Sequence, residues 1–238
     1  MDDGRPGSGA TLAAVLCAAL FPTFATWLYF VVLPGSRWTL AVYAVCKALQ
    51  FSFPMVWVVF VERSDPRLLR KPSRSGLLGG LLSGVGLVAF LLIVWETFLA
   101  GGPIEARVAA ATDTKLAAFG VETVAGYFLL GVFYSVLHSL LEEYYWRWFV
   151  FGHLRRSLPV AGAAVLSALA FMSHHVLVVG ELAGGYGLST WLFASTVAGA
   201  GLVWAWLYHR SRSLYGPWLS HALVDAALLW IGYGLWRG

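Results

Sequence analysis

Seven stretches of the chain are apolar over a length that can cross a membrane: residues 11–33, 39–61, 76–100, 120–151, 160–179, 189–208 and 214–236. A helix needs about 20 such residues to traverse the hydrocarbon core. The pattern therefore predicts an all-α fold, a polytopic transmembrane helix bundle of about seven spans. The fourth stretch is longer than one crossing requires, so it must tilt, break or run out into the interface. Small residues gather in the fifth stretch, AGAAVLSALA from Ala161, and in the sixth, at Ser195, Gly199, Gly201 and Ala205. Such residues let backbones approach closely, which places these two helices inside the bundle. The glycine-rich run 181–187 reads as an external loop.

Composition agrees with the pattern. Of 238 residues, 59% are hydrophobic and 12% charged, and mean hydropathy is +0.74. Soluble domains carry about 25% charged residues. The net charge of +4 would suggest nucleic acid for a soluble protein. Here the basic residues fall in short loops, so no nucleic-acid partner is expected and the bilayer is. Cys17 and Cys46 lie in apolar stretches and indicate neither a disulfide nor a zinc site. The first residues, MDDGRPGSGA, lead into a long apolar stretch and read as the approach to a retained helix.

Loop charge sets the expected orientation. Arg5, Arg63, Arg67, Arg70, Lys71, Arg74, Arg155, Arg156, Arg210 and Arg212 fall on one side; Arg37, Arg107, Lys115 and Arg237 fall on the other. By the positive-inside rule the N-terminus is cytoplasmic and the C-terminus lies outside. The Ala-, Gly- and Arg-rich composition points to a bacterial cytoplasmic membrane.

Three apolar stretches carry polar groups that lipid would not tolerate unpaired. The first is HSLLEEYYWR, residues 138–147. On a helix Glu143 and Arg147 are four apart and can pair, while Glu142 projects about 100° away and shares a face with His138. One carboxylate reads as structure and its neighbour as chemistry. The second is FMSHH, with Phe171 and His175 on one face and His174 turned aside. The third is HALVD, with His221 and Asp225 on one face. At about 1.5 Å per residue the three sets reach overlapping depths. Three helices can therefore bring Glu142, His175, His221 and Asp225 to one intramembrane site. Single histidines such as His138 and His174 are more often helix-to-helix hydrogen bonds. His153 and His209, beside arginines at helix ends, read as interfacial.

The ordered set EExxxR, FxxxH and HxxxD resembles the CAAX-protease and bacteriocin-processing (CPBP, or ABI) family of intramembrane glutamic proteases, which includes the Ras-converting CAAX endopeptidase. The run 199–227 is also similar to the family's last two helices, and the likeness covers roughly residues 120–230. It divides the chain into an N-terminal three-helix region, 1–118, and a catalytic helix bundle, 119–238, within one structural domain. The resemblance implies an endopeptidase acting on a membrane protein or lipidated peptide. It makes Glu142 and His175 the groups that hold and activate water, and His221 with position 225 the oxyanion stabilisers. Glu143, Arg147 and Phe171 would support them.

The family's best-studied members have Asn where this chain has Asp225. An ionised Asp cannot donate to an oxyanion. Asp225 is therefore either protonated or orients and charges His221. No cofactor is expected. A metal-dependent version would instead gather zinc with His138, Glu142, His175, His221 and Asp225. A further alternative is a scaffold or bacteriocin-immunity protein that binds without cutting. Some bacterial members resemble sorting enzymes (the myxosortase-like branch) that process C-terminal anchors of exported proteins.

Overall fold

A computed structural model describes residues 7–66 and 70–238; Arg5 and Arg67 of the charge count lie outside the described residues. The described chain is helical, with no strand. Seven helices have the length and apolarity of membrane spans: α1 Gly9–Val32, α2 Thr39–Val61, α3 Arg74–Phe98, α5 Val124–Ser157, α6 Val160–Ala183, α7 Leu188–Ser211 and α8 Tyr215–Arg237. Between α3 and α5 runs a shorter helix, α4 Pro103–Ala118, where a loop was expected. Its signals were present in the sequence. Pro103 opens it, Glu105 sits in the first turn and Lys115 in the last, which are ordinary start and stop chemistry. It carries too many polar residues to read as a span.

Helix ends follow local chemistry. The Ser73 hydroxyl accepts from Gly76 N–H at the start of α3, and Thr123 accepts from Gly126 N–H at the start of α5, both at 3.0 Å. Two polar side chains thus satisfy orphan donors at the ends of otherwise apolar helices. Helix α6 runs four residues past the expected 179, to Ala183, and stops at Gly184 with φ +75°. The left-handed conformation there suits glycine, so the loop begins later than the apolar count implied.

The long fourth span is one continuous helix of 34 residues whose pitch changes along its length. It is π-helical over Phe133–His138, α-helical over Ser139–Glu143, and π-helical again over Tyr144–Phe151. Widening the turn inserts extra residues without breaking the helix, and such segments often mark functional sites. The two glutamates stand on the single α-helical turn between them.

Around α5 the other spans close a core. Tyr145, Trp146, Phe149, Val150 and Phe151 are buried with Val15 of α1, Phe171 of α6 and Trp204 of α7. Hydrogen bonds tie the helices across this core. The Tyr145 hydroxyl donates to Ala18 O at 2.5 Å, and Thr23 and Ser173 share a bond of 2.5 Å. As the small residues predicted, α6 packs along α7; a Cβ on Gly201 would touch Ala168 at 3.4 Å. A second close crossing joins α3 and α8, where a Cβ on Gly80 would fall 2.3 Å from Gly216 O.

On the basic side Glu62, His153 and Arg156 form a bonded cluster. Glu62 lies 3.1 Å from His153 Nε2 and 2.8 Å from Arg156 Nη1. His153, expected at the interface, is 4% exposed, because Glu62 at the end of α2 gives it a partner under cover. The Gly80 crossing yields a direct test. Gly80→Ala forces backbone against backbone, and overpacking of this kind costs about 1–3 kcal/mol. Gly199→Ala, where nothing lies within 4 Å, is the control. Thermal unfolding in detergent should show a clear loss for the first and none for the second.

Candidate active site

Glu143 is fully buried and engages two partners at once. Its Oε2 accepts from Arg147 Nε at 3.1 Å, and its Oε1 lies 2.9 Å from His221 Nδ1. A carboxylate only accepts, so that imidazole nitrogen carries the proton. The Arg147 guanidinium is also fully buried and lies over the rings of Phe171, at 5.1 Å, and Trp204, at 5.5 Å. Its two terminal nitrogens have no hydrogen-bond partner among the described residues. Aromatic faces on α6 and α7 therefore supply much of the stabilisation that water would otherwise give. Phe171, the first residue of FxxxH, does structural work for the charge at Arg147.

Glu142 points elsewhere, as its 100° offset implied. It is 4% exposed, and three imidazoles fan around its carboxylate. His138 Nε2 lies at 4.0 Å, His174 Nε2 at 3.8 Å and His221 Nε2 at 3.7 Å. His174 stacks parallel on Trp146 at 5.7 Å, and its Nδ1 is buried without a partner. His138 is held among the Tyr134, Phe51 and Phe133 rings. These two histidines, set aside as packing groups on spacing alone, touch the carboxylate that carries the candidate chemistry.

His175 sits one step away. Its Nδ1 donates to Phe171 O at 2.9 Å, and its ring lies 4.1 Å from that of His174. The Phe171 carbonyl can only accept, so the neutral ring exposes Nε2 as a lone-pair acceptor. His221 stacks on Trp204 at 4.0 Å, and its Nε2 faces Asp225 Oδ1 at 3.6 Å. Behind it the Trp204 indole donates to Ser220 at 3.0 Å, and Ser83 of α3 reaches the same hydroxyl at 3.2 Å. The position of His221 is thus fixed from α5, α7 and α3 together.

All seven residues singled out by the motifs therefore gather in one region, five of them buried and His175 and Asp225 half-buried at its edge. The link from Glu143 to His221 was not foreseeable, because 78 residues separate the pair and spacing reads only one helix at a time. Trp204 gave no signal beyond being one more aromatic in an apolar helix. Among the described residues no group of three or more His, Cys, Asp or Glu is arranged to hold a metal ion.

The seven spans thus enclose two glutamates and three histidines buried on α5, α6 and α8. Residues 123–227 match the family model described as Rce1-like, type II CAAX prenyl endopeptidase. The relationship read from the three motifs is thereby supported, and the matched region contains every one of those residues. No curated protein and no solved structure matches the chain. The family match supports intramembrane protease activity in general, with a bilayer environment and a protein substrate.

The Glu143 bridge generates a test of the site's electrostatics. Glu143→Gln strands a buried guanidinium, and Arg147→Met strands a buried carboxylate. Each should cost about 3–5 kcal/mol. The double variant should lose much less than the sum, because neither charge is then unpaired. Equilibrium unfolding of the four proteins in detergent gives the coupling, and strict additivity would contradict the bridge.

Proposed function

We propose that the protein is a glutamic-type intramembrane endopeptidase, in which Glu142 is the general base for the attacking water. The observation that carries this reading is a buried carboxylate surrounded by imidazoles and separated from its charge-paired neighbour. Glu142 takes a proton from water as the water oxygen adds to the scissile carbonyl carbon. The negative charge then gathers on the carbonyl oxygen. When the C–N bond breaks, the leaving amine takes up the proton held by Glu142. Fixed donors in a dry site stabilise the developing charge far more than solvent would.

His175 is the second water ligand in this scheme. Its bond to Phe171 O leaves Nε2 as the acceptor that a water proton requires. In this scheme the attacking water lies between His175 and Glu142 and bonds to both. His174 and His138 contact Glu142 and hold its carboxylate in place. His221 turns Nε2 toward the same space and, when that nitrogen carries a proton, donates to the oxyanion. Glu143 already orients the ring at Nδ1, so Asp225 is not needed for that task. This favours Asp225, as a carboxylic acid, as the second oxyanion donor.

The substrate is a membrane protein or lipidated peptide, cut close to the membrane boundary. The N-terminus faces the cytoplasm by the loop charges, and the host membrane is a bacterial cytoplasmic membrane. No step uses a metal. Activity that survives chelation, in protein without stoichiometric zinc, separates this scheme from the metal-dependent one.

Glu142→Gln should lower cleavage by about 10²–10⁴-fold, the usual share of a general base, with unfolding unchanged. Comparative proteomics of membrane and secreted fractions, with active protein and with Glu142→Gln, should show the accumulating precursor. Near wild-type cleavage by Glu142→Gln would sink the assignment. His175→Ala should match Glu142→Gln, whereas His174→Ala should retain measurable turnover; the reverse order would move the water ligand to His174.

The Asp225 role has its own test. An amide donates without needing a proton, so Asp225→Asn should keep activity and hold it to higher pH than wild type. A pH–rate profile of both proteins measures this. A folded Asp225→Asn that is inactive at every pH would assign Asp225 to charging His221 instead.

A further inference from the structure

A cavity of about 650 Å³ opens on the basic side of the bundle, and none of its lining residues belongs to the candidate active site. It lies where α2 and α7 end, beside the last turns of α5 and the segment that leads into α3. Its volume is within the range of about 300–1,000 Å³ typical of small-molecule sites. Among the described residues four arginines line it, Arg70, Arg155, Arg156 and Arg212, against two carboxylates, Glu62 and Asp65. The lining is therefore cationic, and Glu62 is already committed to His153 and Arg156.

The fold holds these arginines at the cavity. Ser213, just after α7, donates its hydroxyl to Arg70 O at 3.2 Å, which pins one arginine-bearing segment against another. Arg156 is fixed by its 2.8 Å bond to Glu62. Arg155 lies over the Phe151 ring at 5.9 Å, and its Nη1 is buried with no hydrogen-bond partner among the described residues. A charged donor that is hidden from water and unpaired within the chain calls for an acceptor from elsewhere. Arg212 ends α7 at φ +55°, in the left-handed conformation that glycine usually supplies. A guanidinium thus stands at the cavity wall where glycine would have been the easier residue.

We propose that this cavity binds a phosphate group, that of an anionic phospholipid headgroup or of a soluble phosphate. Arginine forks match phosphate oxygens bidentately. The position favours the lipid. The lining gathers at span ends, which is headgroup depth, and basic pockets between transmembrane helices at that level take anionic headgroups. Val58, Trp148 and Tyr208 also line the cavity and offer the glycerol and first acyl carbons an apolar surface beside the charges. A headgroup bound there bridges the ends of α2, α5 and α7, and so braces the helix that carries both glutamates. The site does not depend on the protease reading, because it shares no residue with that machinery.

The test titrates full-length protein in an uncharged detergent with phosphatidylglycerol, with phosphatidylcholine and with inorganic phosphate. Thermal unfolding reads the shift in Tm, and native mass spectrometry counts the lipid retained. Phosphatidylglycerol should raise Tm saturably and stay bound; phosphatidylcholine should do neither. Arg212→Gly should weaken that affinity about tenfold, the worth of one charge-assisted hydrogen bond. Its Tm without lipid should not fall, since glycine suits the backbone there. Arg63→Gly is the matched control, with the same charge and a similar backbone conformation, φ +49°, but outside the cavity lining. It should bind as wild type does. Arg70→Gln, at an exposed side chain, should weaken binding by a similar factor, and it carries the test if Arg212→Gly does not fold.

An Arg212-dependent shift from inorganic phosphate, with no preference for the lipid, supports the phosphate site and makes its ligand a soluble one. No saturable shift from either ligand overturns the proposal. So does an equal loss of binding in Arg63→Gly and Arg212→Gly, which reduces the effect to the general attraction of a basic face for anions.

Discussion

The structure depends on one buried carboxylate. Glu143 binds Arg147 on its own helix and His221 on α8, so a single residue neutralises a cation and sets an imidazole. In water such a triad would be worth little. Inside the bundle each member makes the others tolerable, because removing any one leaves an unpaired charge or an unanchored ring in a medium that cannot solvate it. Phe171, Trp204 and Trp146 then fit as parts of the same solution. Their faces cover the guanidinium and two imidazoles where hydrogen bonds run out.

That arrangement divides labour between neighbours in sequence. Glu143 is fully buried, with each oxygen committed to a strong partner, Arg147 or His221. Glu142 has imidazoles at 3.7–4.0 Å, beyond ordinary hydrogen-bond length, and so keeps acceptor capacity free. The α-helical turn that carries both residues is what splits them to different faces. The π-helical stretches on either side hold more residues per unit of length without interrupting the helix, which takes up part of the excess length of the fourth apolar stretch.

The spans were legible because hydrophobic length is a one-dimensional property. So were Glu142, Glu143, Arg147, His175, His221 and Asp225, since an ionisable group in an apolar run stands out against its background. What crosses between helices was not legible. Nothing in the spacing of His138 or His174 told them from packing histidines, and only the approach of α6 to α5 sets His174 against Glu142. Helix α4 was missed for a different reason. Its capping residues were readable, but its weak apolar pattern hid it in a search for spans.

The contacts of the first three helices bear on how separable the family-matching region is. Tyr145 is anchored to Ala18, His153 and Arg156 to Glu62, and the α8 backbone lies against α3 at Gly80. A fragment beginning near residue 123 would carry every motif and still open the Tyr145–Phe151 wall to lipid, along with the edge of the charge cluster. The motifs are therefore not a portable module. The early helices act as the casing that keeps this charged interior dry, and an engineered chimera would have to supply an equivalent casing before it could borrow the site.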